Sequence, residues 1–299
     1  MVGLNTDRKA NFKKGIDAAE CRRGREDTQI RLRKNKKEES LAKRRNFANV
    51  KGPAENAGVT VNQTGATATK RVFTEADIPM LLPGMQNLMG DKEVLLESVR
   101  GFRRMLSLEI NPPVAAVMNC GALPLFVQML NLNDHPTIQF EAAWALTNVA
   151  STEFTSKVVE ANALPALVAL LRSPDADVRE QCAWCLGNIA GDSPPLRDTV
   201  LNCGAMEPLL LNIENPATPA MLQNMVWALS NFCRGKPQPD LHVIAPAVPH
   251  LSRMLTSNNQ DAIVDACWAL SYLCDGSDDR IQLVQDSGAT EHLVSLLSH

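Results

Sequence analysis

A phrase built around tryptophan recurs along this 299-residue chain and constrains the fold more than any other feature. The four Trp residues stand at intervals of 40, 43 and 41, each followed by Ala or Cys and then Leu: Trp144, Trp184, Trp227 and Trp268. A proline precedes each Trp by 19 or 20 residues and opens an apolar segment. Because Pro is well tolerated in the first turn of a helix, we expect a helix at each proline. The two landmarks in phase predict an internal repeat.

An all-helical repeat of about forty residues is typical of an α-solenoid of the armadillo/HEAT kind, in which each unit packs on its neighbours. Aromatic residues make up 4% of the chain and apolar residues 45%, which favours an all-α fold over a large β-protein. We predict a right-handed armadillo-repeat solenoid with about five repeats between residues 72 and 287. A sixth repeat begins at Gly288 and is cut off, so we expect the sequence to be a fragment or an incomplete gene model.

Charge divides the chain into a basic arm and an acidic body. Residues 1–51 contain 16 Lys or Arg against 7 Asp or Glu, a net charge of +9, and the remaining residues carry −12. We therefore expect three segments: a basic arm over 1–51, a flexible linker over 52–71 and the repeats over 72–299. The arm has few apolar positions, so we expect it to be largely disordered without a partner.

Two segments resemble metal-binding sites but are better explained as parts of the helical repeat. Cys182 and Cys185 have zinc-like spacing, yet a second pair and a nearby His are missing from the sequence around them. The run Asp275-Gly276-Ser277-Asp278-Asp279 is not followed by the Glu that a calcium loop needs. The eight Cys lack the spacing of a disulfide framework, which indicates a reducing compartment. We expect no enzyme activity, no cofactor, no metal and no membrane span.

The Trp phrases also carry an Asn four residues after the Trp in three consecutive repeats. On a helix this spacing puts both side chains on one face. A core Trp with an Asn at the helix end is the structural alternative. A repeated surface fits the pattern better, since indole rings can pack on the stems and cationic heads of Lys or Arg, and carboxamides can bind a peptide main chain. The expected ligand is an extended, Lys/Arg-rich peptide.

The chain resembles the importin-α family in three features. These are the Trp phrases, the segment Gly187-Asn188-Ile189-Ala190-Gly191-Asp192-Ser193 and the fourth pair, Trp268-x-x-x-Tyr272. The resemblance implies a groove for nuclear localisation signals, in which Asp192 pairs with the most deeply held Lys. Its implied walls are Trp144, Asn148, Trp184, Asn188, Trp227 and Asn231. Further positions that match the family's groove are Gln181, Arg234, Asp261, Asp265, Trp268, Tyr272 and Leu106.

One departure from the family concerns a hydroxyl beside the key Lys. The chain reads Ala150-Ser151-Thr152 where the family usually has Ser-Gly-Thr. The hydroxyl that helps to hold the Lys is therefore left open between Thr155 and Ser156, and Ser151 is kept among the candidate residues.

The arm is similar to the importin-β-binding domain of the same family. The residues that carry this similarity are Lys13, Lys14, Arg22, Arg23, Arg25, Arg31, Arg33, Lys34, Lys36, Lys37, Lys43, Arg44 and Arg45. The cluster 43–45 also looks like a localisation signal on the same molecule as the acidic groove. A linker with a reach of about 30 Å gives such a segment a millimolar effective concentration. We expect self-inhibition that importin-β relieves, so deleting residues 1–46 should tighten peptide binding.

The resemblance implies a transport adaptor that shuttles between cytoplasm and nucleus. Its expected partners are cargo proteins with basic signals, importin-β and, indirectly, nuclear pore components, with no nucleic acid and no membrane. Two alternatives share some of these features. One is an armadillo scaffold that binds acidic or phosphorylated segments, against which the acidic body argues. The other is a nucleic-acid-binding protein that uses the arm.

Overall fold

The structure is a computed structural model, and it describes residues 73–108 and 110–298. The predicted arm and linker lie outside the described residues. Every regular element in the described part is helical and none is a strand, which confirms the all-α prediction there. None of the helices in these two ranges is both long enough and apolar enough to cross a membrane.

Sixteen α-helices follow a short 3₁₀ segment at Glu75–Asp77 in the described ranges. They are α1 (Ile78–Gln86), α2 (Lys92–Leu106), α3 (Val114–Asn119), α4 (Ala122–Met129), α5 (Pro136–Val149), α6 (Thr155–Glu160), α7 (Leu164–Leu170), α8 (Ala176–Asp192), α9 (Pro194–Asn202), α10 (Met206–Glu214), α11 (Pro219–Phe232), α12 (Leu241–Ile244), α13 (Ala247–Met254), α14 (Gln260–Cys274), α15 (Asp278–Asp286) and α16 (Ala289–Leu296).

The helices form a repeating unit of two short helices and one long helix. The long helices α2, α5, α8, α11 and α14 pack against one another in chain order. The short helices α4, α7, α10 and α13 each pack against the long helix that follows in the chain. The four landmark prolines all fall within the first three residues of these short helices, as predicted: Pro124, Pro165, Pro208 and Pro249.

Side-chain caps fix where most of the long helices begin. Asp175, Thr218 and Asn259 accept hydrogen bonds from main-chain N–H groups in the first turns of α8, α11 and α14. Such caps satisfy N–H groups that have no partner within the helix. Each capping residue precedes the Trp of its helix by nine positions. The cap therefore sets the direction in which each Trp points.

The core lies between the helix layers and is built from Leu, Val, Ala, Met, Ile and Phe. Phe102 and Phe126 are fully buried and meet edge to face, with ring centroids 6.0 Å apart. Phe232 is fully buried on α11. The repeats therefore bury a continuous apolar layer and leave one face of each long helix to carry polar and aromatic side chains.

Candidate functional site

The Trp and Asn pairs lie on the long helices and form what we call the Trp/Asn row: Trp144, Asn148, Trp184, Asn188, Trp227 and Asn231. The rings of all three Trp are half-buried. They are neither sealed in the core nor fully exposed, unlike the adjacent Ala and Leu positions, which are buried. The rings can therefore meet a ligand while being held on one side by the protein.

Trp227 lies against the preceding long helix at a glycine. A Cβ placed on Gly187 would come within 2.5 Å of Cζ3 of Trp227 and 3.1 Å of the Cα of Ala228. Because a real side chain cannot approach so closely, Gly187 is what lets α11 and its indole pack on α8. The ring of Trp227 thus has its position set by the neighbouring repeat.

Trp144 is held by different partners. Its ring meets Phe140 edge to face at a centroid distance of 5.5 Å. The guanidinium carbon of Arg103, on α2, lies 4.4 Å from the centroid of the same indole. Glu141 holds that guanidinium in turn, through Nε–Oε2 and Nη2–Oε1 distances of 2.7 and 3.3 Å. The protein therefore supplies its own cation–π contact at this Trp.

The Asn side chains reach back to the preceding repeat. Asn148 donates from Nδ2 to the hydroxyl of Ser107 at 2.9 Å, and Asn188 donates from Nδ2 to the carbonyl oxygen of Thr147 at 3.1 Å. Each contact uses one N–H of a carboxamide. The second N–H and the oxygen are the groups with which each amide can bind a peptide main chain.

Asn231 and Gln181 are less accessible than the other amides. Asn231 is 8% exposed and lies beside Gly191, whose Cβ, if present, would be 3.1 Å from the Asn231 amide oxygen. Gln181 is 6% exposed and donates from Nε2 to the hydroxyl of Thr147 at 2.8 Å. Gln181 thus joins α8 to α5, so a role toward a peptide is not needed to explain its position.

The acidic candidates differ in their access to solvent. Asp192 is exposed at the end of α8, four residues after Asn188. Asp261 is exposed and accepts a hydrogen bond from Gln223 at 2.9 Å. Asp265 is 5% exposed, within the packed part of α14. Asp192 therefore offers an accessible carboxylate next to the Trp/Asn row.

Arg234 introduces a positive charge beside the acidic positions. Its Nη1 donates to the carbonyl oxygen of Gly191 at 3.4 Å, and burial lowers the pKa of its guanidinium. The following turn is held by Arg197 of α9, which is fully buried. Arg197 donates from Nη1 to the carbonyl oxygens of Arg234 and Gly235 at 2.6 and 3.2 Å, and from Nη2 to that of Pro237 at 2.8 Å.

The fourth pair differs from the other three. Trp268 and Tyr272 on α14 stack with ring centroids 6.1 Å apart and an interplanar angle of 26°. Gln238 donates to the carbonyl oxygen of Tyr272 at 2.7 Å. This pair presents an aromatic surface with a phenol in place of a carboxamide.

The three candidate hydroxyls are separated by burial. Thr155 is 2% exposed, and its hydroxyl lies 2.7 Å from the carbonyl oxygen of Thr152. Ser151 is half-buried and donates to the carbonyl oxygen of Asn148 at 2.8 Å. Ser156 is exposed at the start of α6. Of the two positions left open by the sequence, Ser156 is the accessible one.

Leu106 is the least accessible of the hydrophobic positions that the family resemblance implies. Its side chain is 3% exposed and belongs to the core. It stands three residues after Arg103 on α2, the position that Gly187 occupies relative to Trp184 on α8. Side chains at this position face the next long helix, so the side chain of Leu106 is not available to a peptide.

The paired cysteines lie inside α8. Cys182 and Cys185 are fully buried, and burial raises the pKa of Cys185 to about 12. A thiol with such a pKa remains protonated at neutral pH and is a poor metal ligand. Across residues 73–108 and 110–298, we find no group of three or more His, Cys, Asp or Glu side chains that could hold a metal ion.

The sequence did not predict the roles of three residues that shape the site: Arg103, Glu141 and Gly187. A signal for the first was available in the repeat register. Arg103 and Ser107 stand 41 residues before Trp144 and Asn148, so they occupy the Trp and Asn positions of the first repeat. The packing roles of Glu141 and Gly187 depend on which residue of the neighbouring helix each one meets.

Two families match the chain. Residues 8–88 match the importin beta binding domain, a range that starts in the predicted arm and continues to Leu88. Four consecutive segments match the armadillo/beta-catenin-like repeat: residues 111–151, 151–191, 193–234 and 236–275. Each of the four segments contains one Trp phrase. The prediction of armadillo repeats is confirmed.

Curated relatives are similar along nearly the whole chain. Importin subunit alpha-2 of Arabidopsis thaliana is 44% identical over 299 residues, which covers 98% of this chain and 54% of the relative. Importin subunit alpha-1b of Oryza sativa subsp. japonica is 44% identical over 294 residues, with the same two shares. The chain thus spans about half the length of the curated relatives it matches.

Solved structures agree with the fold. A designed armadillo repeat protein in complex with the peptide (KR)4 superposes with a TM-score of 0.67 at 25% sequence identity. The superposition covers 75% of this chain and 92% of the designed protein.

Proposed function

Because the chain belongs to the importin-α family, we propose that it is a nuclear import adaptor that binds Lys/Arg-rich localisation signals along the Trp/Asn row. Its N-terminal arm links the cargo to importin-β. The match of residues 8–88 to the importin beta binding domain supports the second part. Shuttling between cytoplasm and nucleus follows from this role.

The Trp/Asn row is the observation that carries the proposal. Three half-buried indoles stand at equivalent positions of helices that pack side by side. Indoles spaced by one repeat match an extended peptide whose alternate side chains enter successive gaps. Each Lys or Arg that lies against an indole face contributes about 0.5–2 kcal/mol.

Polar groups supply the rest of the recognition. The amides of Asn148 and Asn188 bind the main chain without reading the sequence of the peptide. The exposed carboxylate of Asp192 selects a positive side chain at one position. The net charge of −12 outside the arm attracts basic peptides during encounter.

Peptide titration monitored by Trp fluorescence tests the proposal. The full chain is expected to bind a Lys-rich signal peptide, and Asp192→Lys is expected to lower the affinity at least a hundredfold, because it replaces an attraction with a repulsion. Glu160→Lys is the matched control, since it makes the same charge change on α6, at a side chain that is 57% exposed and is not a member of the row. Equal affinities for the two variants would contradict the proposal.

We further propose that the arm competes with cargo for the row until importin-β removes it. Replacing Lys43, Arg44 and Arg45 by Ala is expected to tighten peptide binding by about tenfold, since a tethered competitor acts at a millimolar effective concentration. Replacing Arg8, Lys9 and Lys51 removes the same number of charges and serves as the control. An unchanged affinity in the first variant would falsify the self-inhibition.

Binding of the arm to nucleic acid is the competing explanation of its charge. The full chain is therefore titrated with importin-β and with a DNA duplex at physiological salt. Tighter binding of importin-β supports the adaptor, and tighter binding of the duplex supports a nucleic-acid-binding protein.

A further inference from the structure

The first repeat carries a cation where the next repeats carry an indole. Arg103 stands 41 residues before Trp144, and Ser107 stands 41 residues before Asn148. The main contacts of the row continue across this boundary, because Asn148 donates to Ser107 as Asn188 donates to the main chain of Thr147. Arg103 therefore occupies the position one repeat before the Trp/Asn row, where it places a cation in the position of an indole.

The guanidinium of Arg103 fills the place that a ligand cation would take on this side of Trp144. It lies 4.4 Å from the centroid of the indole and is 8% exposed. Glu141, which is 4% exposed, accepts from both Nε and Nη2 of Arg103. Arg100 also donates to Glu141, at 3.2 Å. Both the ring face and the carboxylate are thus satisfied from within the chain.

We infer that Arg103 is a specificity-determining residue that ends the series of cation-binding positions at Trp144. A bound peptide can place Lys or Arg side chains along the Trp/Asn row as far as this indole. A further cation at that end of the peptide meets Arg103, which already occupies the indole face and pairs with the buried carboxylate of Glu141. At the peptide position beyond Trp144, the protein therefore prefers a neutral or acidic residue. This inference rests on the proposed function.

A set of peptides with one added residue tests the inference. A Lys-rich parent peptide is extended by either Lys or Ala, at its N-terminal or its C-terminal end, and each is titrated against the full chain. The ratio of the affinities for the Lys and Ala forms is the readout at each end. For the unchanged protein, the end that lies at Arg103 gives a ratio of one or less, and the opposite end is the internal control.

Removing Arg103 is expected to change that ratio at one end only. In Arg103→Ala the added Lys gains both the indole face and the Glu141 carboxylate, and the ratio rises about tenfold. In Arg103→Ala/Glu141→Gln the carboxylate is gone, and the ratio rises about threefold, the value of an exposed cation–π contact. At the opposite end of the peptide, the ratio of the affinities for the Lys and Ala forms stays unchanged in both variants.

If Arg103→Ala does not fold, the double variant is used alone. We expect the double variant to fold, because it leaves no buried charge without a partner. A ratio that stays constant at both ends in the folded variants overturns the inference while leaving the adaptor function intact. A ratio well above one at both ends of the peptide, measured with the unchanged protein, also overturns the inference while leaving the adaptor function intact. If the parent peptide does not bind at all, the proposed function and this inference both fall.

Discussion

Two arginines, Arg103 and Arg197, show two different ways to link one repeat to the next. Each is buried, and each reaches the repeat that follows it. Arg103 makes its contacts with side chains, the carboxylate of Glu141 and the ring of Trp144. Arg197 donates mainly to main-chain carbonyl oxygens in the turn after α11, and to the carboxylate of Asp198.

The difference determines how each link can be altered. A side-chain partner can be replaced together with its arginine, so the pair of Arg103 and Glu141 can be removed without leaving a buried charge. Carbonyl oxygens belong to the backbone and cannot be replaced. The loss of Arg197 therefore leaves acceptors without a donor whatever other residue is changed.

The largest effect is expected from Arg197→Met, which keeps most of the side-chain volume. It should lower the free energy of unfolding by about 3–5 kcal/mol, because it removes a fully buried group that orders the turn. Urea denaturation measures the change. Asp198→Asn is the control, with an expected loss of about 1 kcal/mol or less, since this carboxylate is 45% exposed. A similar loss in both variants would show that the carboxylate, and not the turn, is the important partner.

The next largest effect is expected at the other arginine. Arg103→Ala should cost about 3 kcal/mol by leaving Glu141 buried with Arg100 as its remaining partner. Adding Glu141→Gln should recover part of that loss in the same urea assay, because the buried charge is removed. If the double variant is less stable than the single variant, the two residues do not act as a replaceable pair.

A smaller effect is expected where packing alone links the repeats. Gly187→Ala should lower stability by about 1–2 kcal/mol, since the overpacking against Trp227 exceeds the gain in helix propensity. Peptide affinity should fall as well because the indole is displaced. Ser271→Ala is the matched control at the equivalent position of α14, where the side chain is exposed. An undiminished affinity in Gly187→Ala would mean that the ring can shift without loss of binding.

The smallest effects on stability are expected from the amides. Asn148→Ala and Asn188→Ala should each cost about 0.5–1.5 kcal/mol, the value of one hydrogen bond. Both should weaken peptide binding by more than this, because the same amides are proposed to hold the peptide main chain. Asn131→Ala removes an exposed amide that follows α4 and donates to the carbonyl oxygen of Val127 in that helix, and it is the control for both measurements. If peptide affinity is unchanged in Asn148→Ala and Asn188→Ala, the two amides stabilise the fold and do not bind the peptide.

Much of the fold was predictable because it depends on local patterns. The Trp phrases and the landmark prolines predicted the helical repeat and the starts of four short helices, since periodicity and helix-start preferences act over a few residues. The half-burial of the three Trp in the row agrees with the expectation of a repeated surface. These features needed no knowledge of which residues meet across repeats.

The rest of the site depended on contacts between residues about forty positions apart. Leu106 matched a groove position in sequence, but its side chain is in the core because α2 presents that position to α5. Glu141 reads as an ordinary helix residue, and its burial beside Arg103 follows from packing. The packing role of Gly187 depends on Trp227, which stands 40 residues later and needs the space that a side chain at position 187 would fill.

The constant nine-residue step from helix cap to Trp has a consequence for how repeats of this kind can change length. The distances between Trp phrases vary from 40 to 43, while the step from Asp175, Thr218 or Asn259 to its indole does not vary. One residue inserted within that step would turn the indole by about 100° around its helix and out of line with its neighbours. Insertions are tolerated in the loops and short helices, where they lengthen a repeat without misaligning its ring.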